Sequence, residues 1–264
     1  MSEPLVCAVM LVNGRPEMVK RAVASFRAQT YPRKSLLVLN SGPRLPFPAF
    51  PVHLCTAPKS VGSLRNQANS VPETAKIICH FDSDDWSHPN RIAEQVALLQ
   101  SSGADAVGYR EVMFWRQPSA EDRKAFSDVA ARAAVSREAV ARAGFCSEAG
   151  EAWLFTHPQQ NWCHGASLCY WRQTWERKPF PDTSSPGNPR GAGEDLVWQA
   201  GLKRTAVSAI EAERRNLNEP YTPRLICGIH GGNTATKDLI SPEWRRVAEW
   251  DERVRAIMEA KCNS

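Results

Sequence analysis

Three carboxylates stand within four residues at Asp82-Ser83-Asp84-Asp85. Such charges repel one another unless a cation neutralises them. An oxygen-rich set of this kind suits magnesium or manganese, ions that also bridge to substrate phosphates. The same four residues suit an acidic turn that caps a helix, and the tetrapeptide alone leaves both readings open. It is not an EF-hand loop, because the later ligand positions and the central glycine are missing. Glu194-Asp195 follows a glycine-containing loop and opens a short helical pattern. A carboxylate there can be held by backbone N–H groups or aimed into a cleft as a general base. An acidic first turn is also favourable in any helix. His230, in His-Gly-Gly-Asn-Thr at the end of an apolar run, presents an imidazole of the kind that ligates metals. The glycines beside it let a backbone or a phosphate approach closely. A lone histidine is more often structural. His164, in Cys-His-Gly-Ala-Ser, is a second such imidazole.

The elements around these residues decide whether they can meet. Leu5–Val12 is a continuous apolar run of strand length, the pattern of a strand covered on both faces. Pro16 opens a helical pattern with Met18, Val19, Ala22, Val23 and Phe26 on one face. Leu36–Leu39 predicts a second strand, Val52–Cys55 a short third, Leu64–Ser70 a short helix and Lys76–Phe81 a strand that runs straight into the acidic cluster. Ser87 and Pro89 start the next helix, which Gly103 closes. Strand and helix alternation predicts an α/β sandwich with a mainly parallel sheet. Such sheets bind ligands beyond the carboxyl ends of their strands, where the aspartates fall. Further on, Asp105–Arg116 reads as one or two strands and the Ala- and Arg-rich Ser119–Gly144 as helical. Trp153–Thr156, Ser167–Trp171 and Leu225–His230 read as strands, and Pro242–Ala260 as a terminal amphipathic helix.

Composition narrows the class. The chain has 264 residues, 42% hydrophobic and 23% charged, which is globular rather than disordered. Its longest apolar run is far short of a membrane span, and no charged n-region and cleavage site precede it, so no signal peptide is expected. A net charge of +5 suits a phosphate-bearing substrate without establishing one. The eight cysteines form no CxxC pair, and those inside apolar stretches behave as small hydrophobes, which predicts a reduced, cytoplasmic chain.

Taken in order, these features resemble the family 2 glycosyltransferases, enzymes of the GT-A fold. The Val6–Val12 strand with Arg21-Ala-Val-Ala-Ser25 and Gln29-Thr-Tyr-Pro32 looks like the family's first strand and helix. Ser60-Val-Gly-Ser-Leu-Arg-Asn66 resembles the loop and helix before its aspartate motif. Phe81-Asp-Ser-Asp-Asp-Trp86 with Pro89 looks like the DxD motif, and Phe180-Pro-Asp182 with Gly193-Glu-Asp195 like the acceptor-side loop and ED motif. The two acidic motifs stand about 110 residues apart, and the resemblance covers most of residues 4 to 202. It implies a GT-A type nucleotide-binding α/β/α sandwich over residues 1–240. A donor half would span about 1–110 and an acceptor half about 111–240, with a helical insertion at 119–144. The terminal helix would follow over 241–264.

The resemblance also implies roles. Asp82 and Asp84 would contact a nucleotide-sugar's ribose and, through Mn2+ or Mg2+, its diphosphate, with His230 completing the metal site. Asn13, Asn40 and Arg65 would lie on the donor side. Asp195 would be the base of an inverting transfer, with Glu194 orienting it or binding acceptor. The family's second strand usually ends in an acidic residue that reads the nucleotide base. Here it ends in Asn40, which still donates and accepts hydrogen bonds, and a UDP-sugar is the default donor. The acceptor would be a glycan or a hydroxymethylated base in DNA. Of nine tryptophans, Trp115, Trp153 and Trp162 flank the irregular middle segment and are the candidates for stacking on an acceptor. A nucleotidyltransferase of similar fold, and a non-catalytic carbohydrate- or nucleic-acid-binding protein, are the rival readings. The second would leave the aspartate cluster and Asp195 unexplained as a pair.

Overall fold

The computed structural model describes residues 3–45, 52–55, 59–118, 150–208, 222–230, 239 and 241–260. The expected helix at Ser119–Gly144 lies outside them. Strand β1 (Val6–Val12) is the central strand of the first half. Its odd-looking uniformity has a simple cause, since the two faces pack different layers. Val6, Ala8, Met10 and Val12 meet helix α1 (Pro16–Arg27) and helix α3 (Arg91–Ser102) through Val19, Ala22, Ile92 and Leu99. Cys7 and Val9 meet helix α2 (Val61–Ser70) through Leu64 and Ala68 on the other side. Each large apolar side chain so buried contributes roughly 1.5–3 kcal/mol. This two-faced burial is the α/β/α sandwich that the apolar run implied.

Parallel pairing joins β1 to β2 (Lys34–Asn40) and to β4 (Ile77–His80), and β2 to β3 (Val52–Leu54). β1 and β4 therefore release their next residues at the same sheet edge: Asn13–Arg15 after one, Asp82–Asp85 after the other. Beyond β4 the sheet turns mixed. β8 (Cys169–Trp171) pairs antiparallel with both β4 and the long β6 (Ala106–Arg116). β7 (Glu151–Thr156) and then β11 (Trp244–Arg246) continue antiparallel. β9 (Arg204–Ser208) and β10 (Leu225–Ile229) lie parallel to opposite ends of β6, and the two-residue β5 (Trp86–Ser87) pairs with β10.

Two short helices complete the described chain before the last one, α4 (Arg172–Arg177) and α5 (Glu194–Gln199). The tail departs from expectation. The helix expected over Pro242–Ala260 is instead strand β11, a 3-10 turn at Ala248–Trp250, and helix α6 (Asp251–Glu259). The apolar residues of the first part find a sheet edge to extend, where Trp244 lies against Phe114 and Phe155. β9 was not foreseen either, because its half-exposed residues carry no clear period. No described helix is long and apolar enough to cross a membrane. Six buried cysteines among the described residues stand outside any disulfide.

Candidate active site

A cleft of about 920 Å³ opens at the carboxyl edge of the parallel strands. Asn13, Arg65, Asp82, Asp84, Glu194 and Asp195 line it, so motifs separated by more than a hundred residues face one space. The acidic turn is held from below. Asp85 is buried, and its carboxylate accepts the Gly228 N–H at 3.0 Å and the Cys227 thiol at 3.2 Å. Burial, with the Asp84 and Asp82 charges beside it, holds Asp85 well above the usual carboxylate range. These bonds fasten the turn to β10, whose next residue is His230. Arg21 adds a second fastening, donating to the Asp84 carbonyl at 3.1 Å and to the Met258 carbonyl of α6 at 2.6 Å.

As a result, His230 Nε2 lies 2.8 Å from Asp84 Oδ2 across 146 residues of sequence. Burial alone would raise the Asp84 carboxyl, but the His230 hydrogen bond and the Arg15 charge outweigh it and hold the group below its ordinary value. Arg15 Nη1 is 3.1 Å from the same Oδ2 and 2.6 Å from His230 Nε2. Arg15 reaches this position from an unusual backbone. Its φ of 59° is the one positive value outside glycine among the described residues, a conformation costing about 1–2 kcal/mol.

Residues that fit a divalent ion are present. A carboxylate oxygen and an imidazole nitrogen converge at 2.8 Å, hard and borderline donors of the type that hold Mn2+ or Mg2+ beside substrate phosphates. Asp82 stands on the other side of the turn, where burial raises its carboxyl. No group of three or more such ligands is gathered among the described residues.

Arg65 joins the two acidic motifs. Its Nε donates to Glu194 at 2.9 Å and its Nη2 lies 3.7 Å from Asp82. Arg65 and Glu194 are both buried, so the pair is desolvated as well as close. Nη1 is buried and has no hydrogen-bond partner among the described residues.

Asp195 sits at the start of α5, behind Gly193, whose φ of 86° turns the chain into the helix. Burial, then the neighbouring Glu194 charge, pushes its carboxyl up to about 6, with Arg65 pulling the other way. Gly165 lies directly against it. A Cβ on Gly165 would come within 2.1 Å of Asp195 Oδ2. Sequence reasoning overlooked Gly165 and Arg15, since neither belongs to a motif that signals chemistry.

Several sequence expectations change here. Asn40 is buried, and its amide is committed within its own turn: Nδ2 donates to the Pro43 carbonyl at 2.9 Å and Oδ1 accepts the Gly42 N–H at 3.0 Å. It is not among the cleft-lining residues, whereas Ser41 is. Trp115, Trp153 and Trp162 do not line the cleft either. Trp115 is fully buried, with its ring packed on Gly150. Trp162 is stacked on His157 with centroids 4.5 Å apart. Trp153 donates its indole N–H to Glu151 at 3.2 Å. His164 does line the cleft.

No protein-family model matches the chain, and no curated protein matches it in sequence. Its fold has solved likenesses. The mannosyltransferase PcManGT from Pyrobaculum calidifontis, solved with GDP-Man and Mn2+, matches 86% of this chain with a TM-score of 0.51 and 15% identity. TarS 1-349 from S. aureus, solved with UDP-GlcNAc, matches 96% with a TM-score of 0.52 and 11% identity. The chain spans 57% and 66% of the lengths of those two. The likeness is one of fold: a mixed α/β architecture with a mostly parallel central sheet, as in these GT-A-like glycosyltransferases.

Proposed function

We propose that the chain is a metal-dependent, inverting glycosyltransferase of the family 2 type, moving a hexose from a nucleotide-sugar to an acceptor hydroxyl. The observation that carries this reading is the gathering of Asp82, Asp84, Arg65 and Asp195 around one cleft at the carboxyl edge of the sheet. Asp84 and His230 would hold the divalent ion, which when bound supplies positive charge to the leaving diphosphate. Arg65, with its unsatisfied buried Nη1, would donate to a donor oxygen. Asp195 takes the proton from the acceptor hydroxyl as that oxygen attacks the anomeric carbon opposite the leaving group. A single displacement inverts that centre. A carboxyl raised to about 6 is deprotonated at neutral pH yet basic enough for this work.

The donor proposed is a UDP-sugar, for which TarS with UDP-GlcNAc is the precedent. The acceptor is a glycan or a hydroxymethylated nucleobase in DNA. The domain reading is retained, with a donor half over about 1–110 and an acceptor half over about 111–240, and the cytoplasm is the proposed location. The test is a panel of nucleotide-sugars, with nucleotide release measured in Mn2+ or Mg2+, followed by both acceptor classes. Release should require the metal and should be lost in Asp84→Ala. Full activity of that variant in the presence of a chelator would overturn the metal role.

A further inference from the structure

Three atoms, His230 Nε2, Asp84 Oδ2 and Arg15 Nη1, meet at the heart of the acidic site. His230 Nε2 faces Asp84 Oδ2 at 2.8 Å and Arg15 Nη1 at 2.6 Å. One ring nitrogen cannot donate to the carboxylate and accept from the guanidinium together. If Nε2 carries a hydrogen, that hydrogen and the Arg15 N–H crowd one another. If it carries a lone pair, no hydrogen lies between it and Asp84 Oδ2, and the Arg15 charge beside both offsets their repulsion. A carboxylate oxygen and an imidazole nitrogen that share one positively charged neighbour are a pair that a divalent ion would also suit. Here the guanidinium nitrogen, 3.1 Å from Oδ2, stands where the cation would.

Resting on the reading of Asp84 and His230 as metal ligands, we propose that Arg15 is a resident competitor for the divalent ion. It neutralises the ligand pair while the site is unloaded, and it must leave when the ion enters. The Gly14-Arg15 turn, with φ of 74° and 59°, holds the side chain there from a strained backbone. Leaving places Arg15 on a cleft wall it already lines, as do Lys59 and Arg190. A diphosphate is the group a guanidinium fits there, through paired N–H donors. The nucleotide would therefore draw Arg15 away and open the site, so that ion and nucleotide each strengthen binding of the other.

Mn2+ binding, followed by loss of the free-ion electron paramagnetic resonance signal, tests this without any turnover. Arg15→Gln removes the charge at similar length. Arg15→Gly does so while suiting the left-handed backbone, which guards against a folding failure. Without nucleotide, both variants should bind Mn2+ about tenfold more tightly than the parent, within the usual range of coupling between sites. The extra tightening caused by UDP should shrink in both. Unchanged or weaker Mn2+ binding in both, with binding abolished by Asp84→Asn, would overturn the role of Arg15 and leave the metal site standing. Absence of Mn2+ binding in every protein, with or without UDP, would overturn both.

Discussion

Asp195→Asn keeps the shape of the side chain and removes its capacity to take a proton. Turnover should fall by roughly two to four orders of magnitude while nucleotide-sugar affinity, measured by titration calorimetry, stays close to the parent value. Equal losses in both would mark Asp195 as structural. The carboxyl's elevation to about 6 gives the pH profile its sign. The base works only when ionised, so kcat/KM of the parent should drop about tenfold per unit below that value. The same elevation acts on stability in the opposite sense. Between its ordinary value and about 6 the folded chain keeps a proton that the unfolded chain has lost, so stability decreases as pH rises through that window. Asp195→Asn escapes this cost and should melt above the parent at pH 7. Activity and stability then move apart at one residue, as expected where burial has been used to tune chemistry.

At the scale of elements, the position of Asp195 depends on the 3-10 turn Gly165–Ser167. That turn is braced from the core. His80 is buried, and its Nδ1 donates to the Gly165 carbonyl at 2.8 Å. Arg91, also buried, donates to the carbonyls of Ala166 and His80, both at 2.8 Å. Burial and the Arg65 and Arg91 charges keep His80 well below the usual imidazole range, so it braces as a neutral ring. Gly165→Ala should displace the Asp195 carboxylate, because its Cβ cannot share the 2.1 Å separation. A roughly hundredfold loss of turnover is expected, the usual result of a misplacement of about 1 Å, with unchanged Mn2+ affinity. Parental turnover would show that the carboxylate has room to move aside.

How much of this was legible in the sequence follows from the same packing. β1, α1, α2, β4 and α3 announced themselves because each buries a regular face, and Gly103 marked the end of α3 through its φ of 59°. Asp84, Asp195 and His230 stood out by residue type beside a strand or helix end. The commitment of the Asn40 amide to its own turn depends on Pro43 and Gly42 being near, which a strand-end position does not reveal. The burial of Trp115 is not readable locally, because exposure depends on the sheet around it. Arg15 and Gly165 act only through contacts with residues far along the chain, and no local pattern encodes those.

On the scale of the whole molecule, the register of the sheet brings the two ends of one segment together. Arg116, the last residue of β6, pairs with Glu151, the first of β7. A short linker in place of residues 119–144 would therefore leave the β6–β7 pairing intact. The proposed acceptor-side role then has a clean test. The shortened protein should keep its melting temperature and metal-dependent donor hydrolysis while losing transfer to acceptor. Transfer at the parental rate, or loss of folding, would remove the assignment.

The fastening of the acidic turn to β10 also bears on the order in which the chain is made. The parallel pairings of β3, β2, β1 and β4 involve nothing beyond residue 80, so these partners are all present once residue 80 has been made. The acidic turn follows at once, but Asp85 finds its anchors only at Cys227 and Gly228, and Asp84 finds His230 later still. Such long-range pairings are slow to form. A chain ending before β10 would thus carry the sheet edge with Asp84 and His230, the proposed metal ligands, still apart. Because Cys227 follows Asp85 by 142 residues, the proposed metal site would gain its imidazole only after β10 has been made.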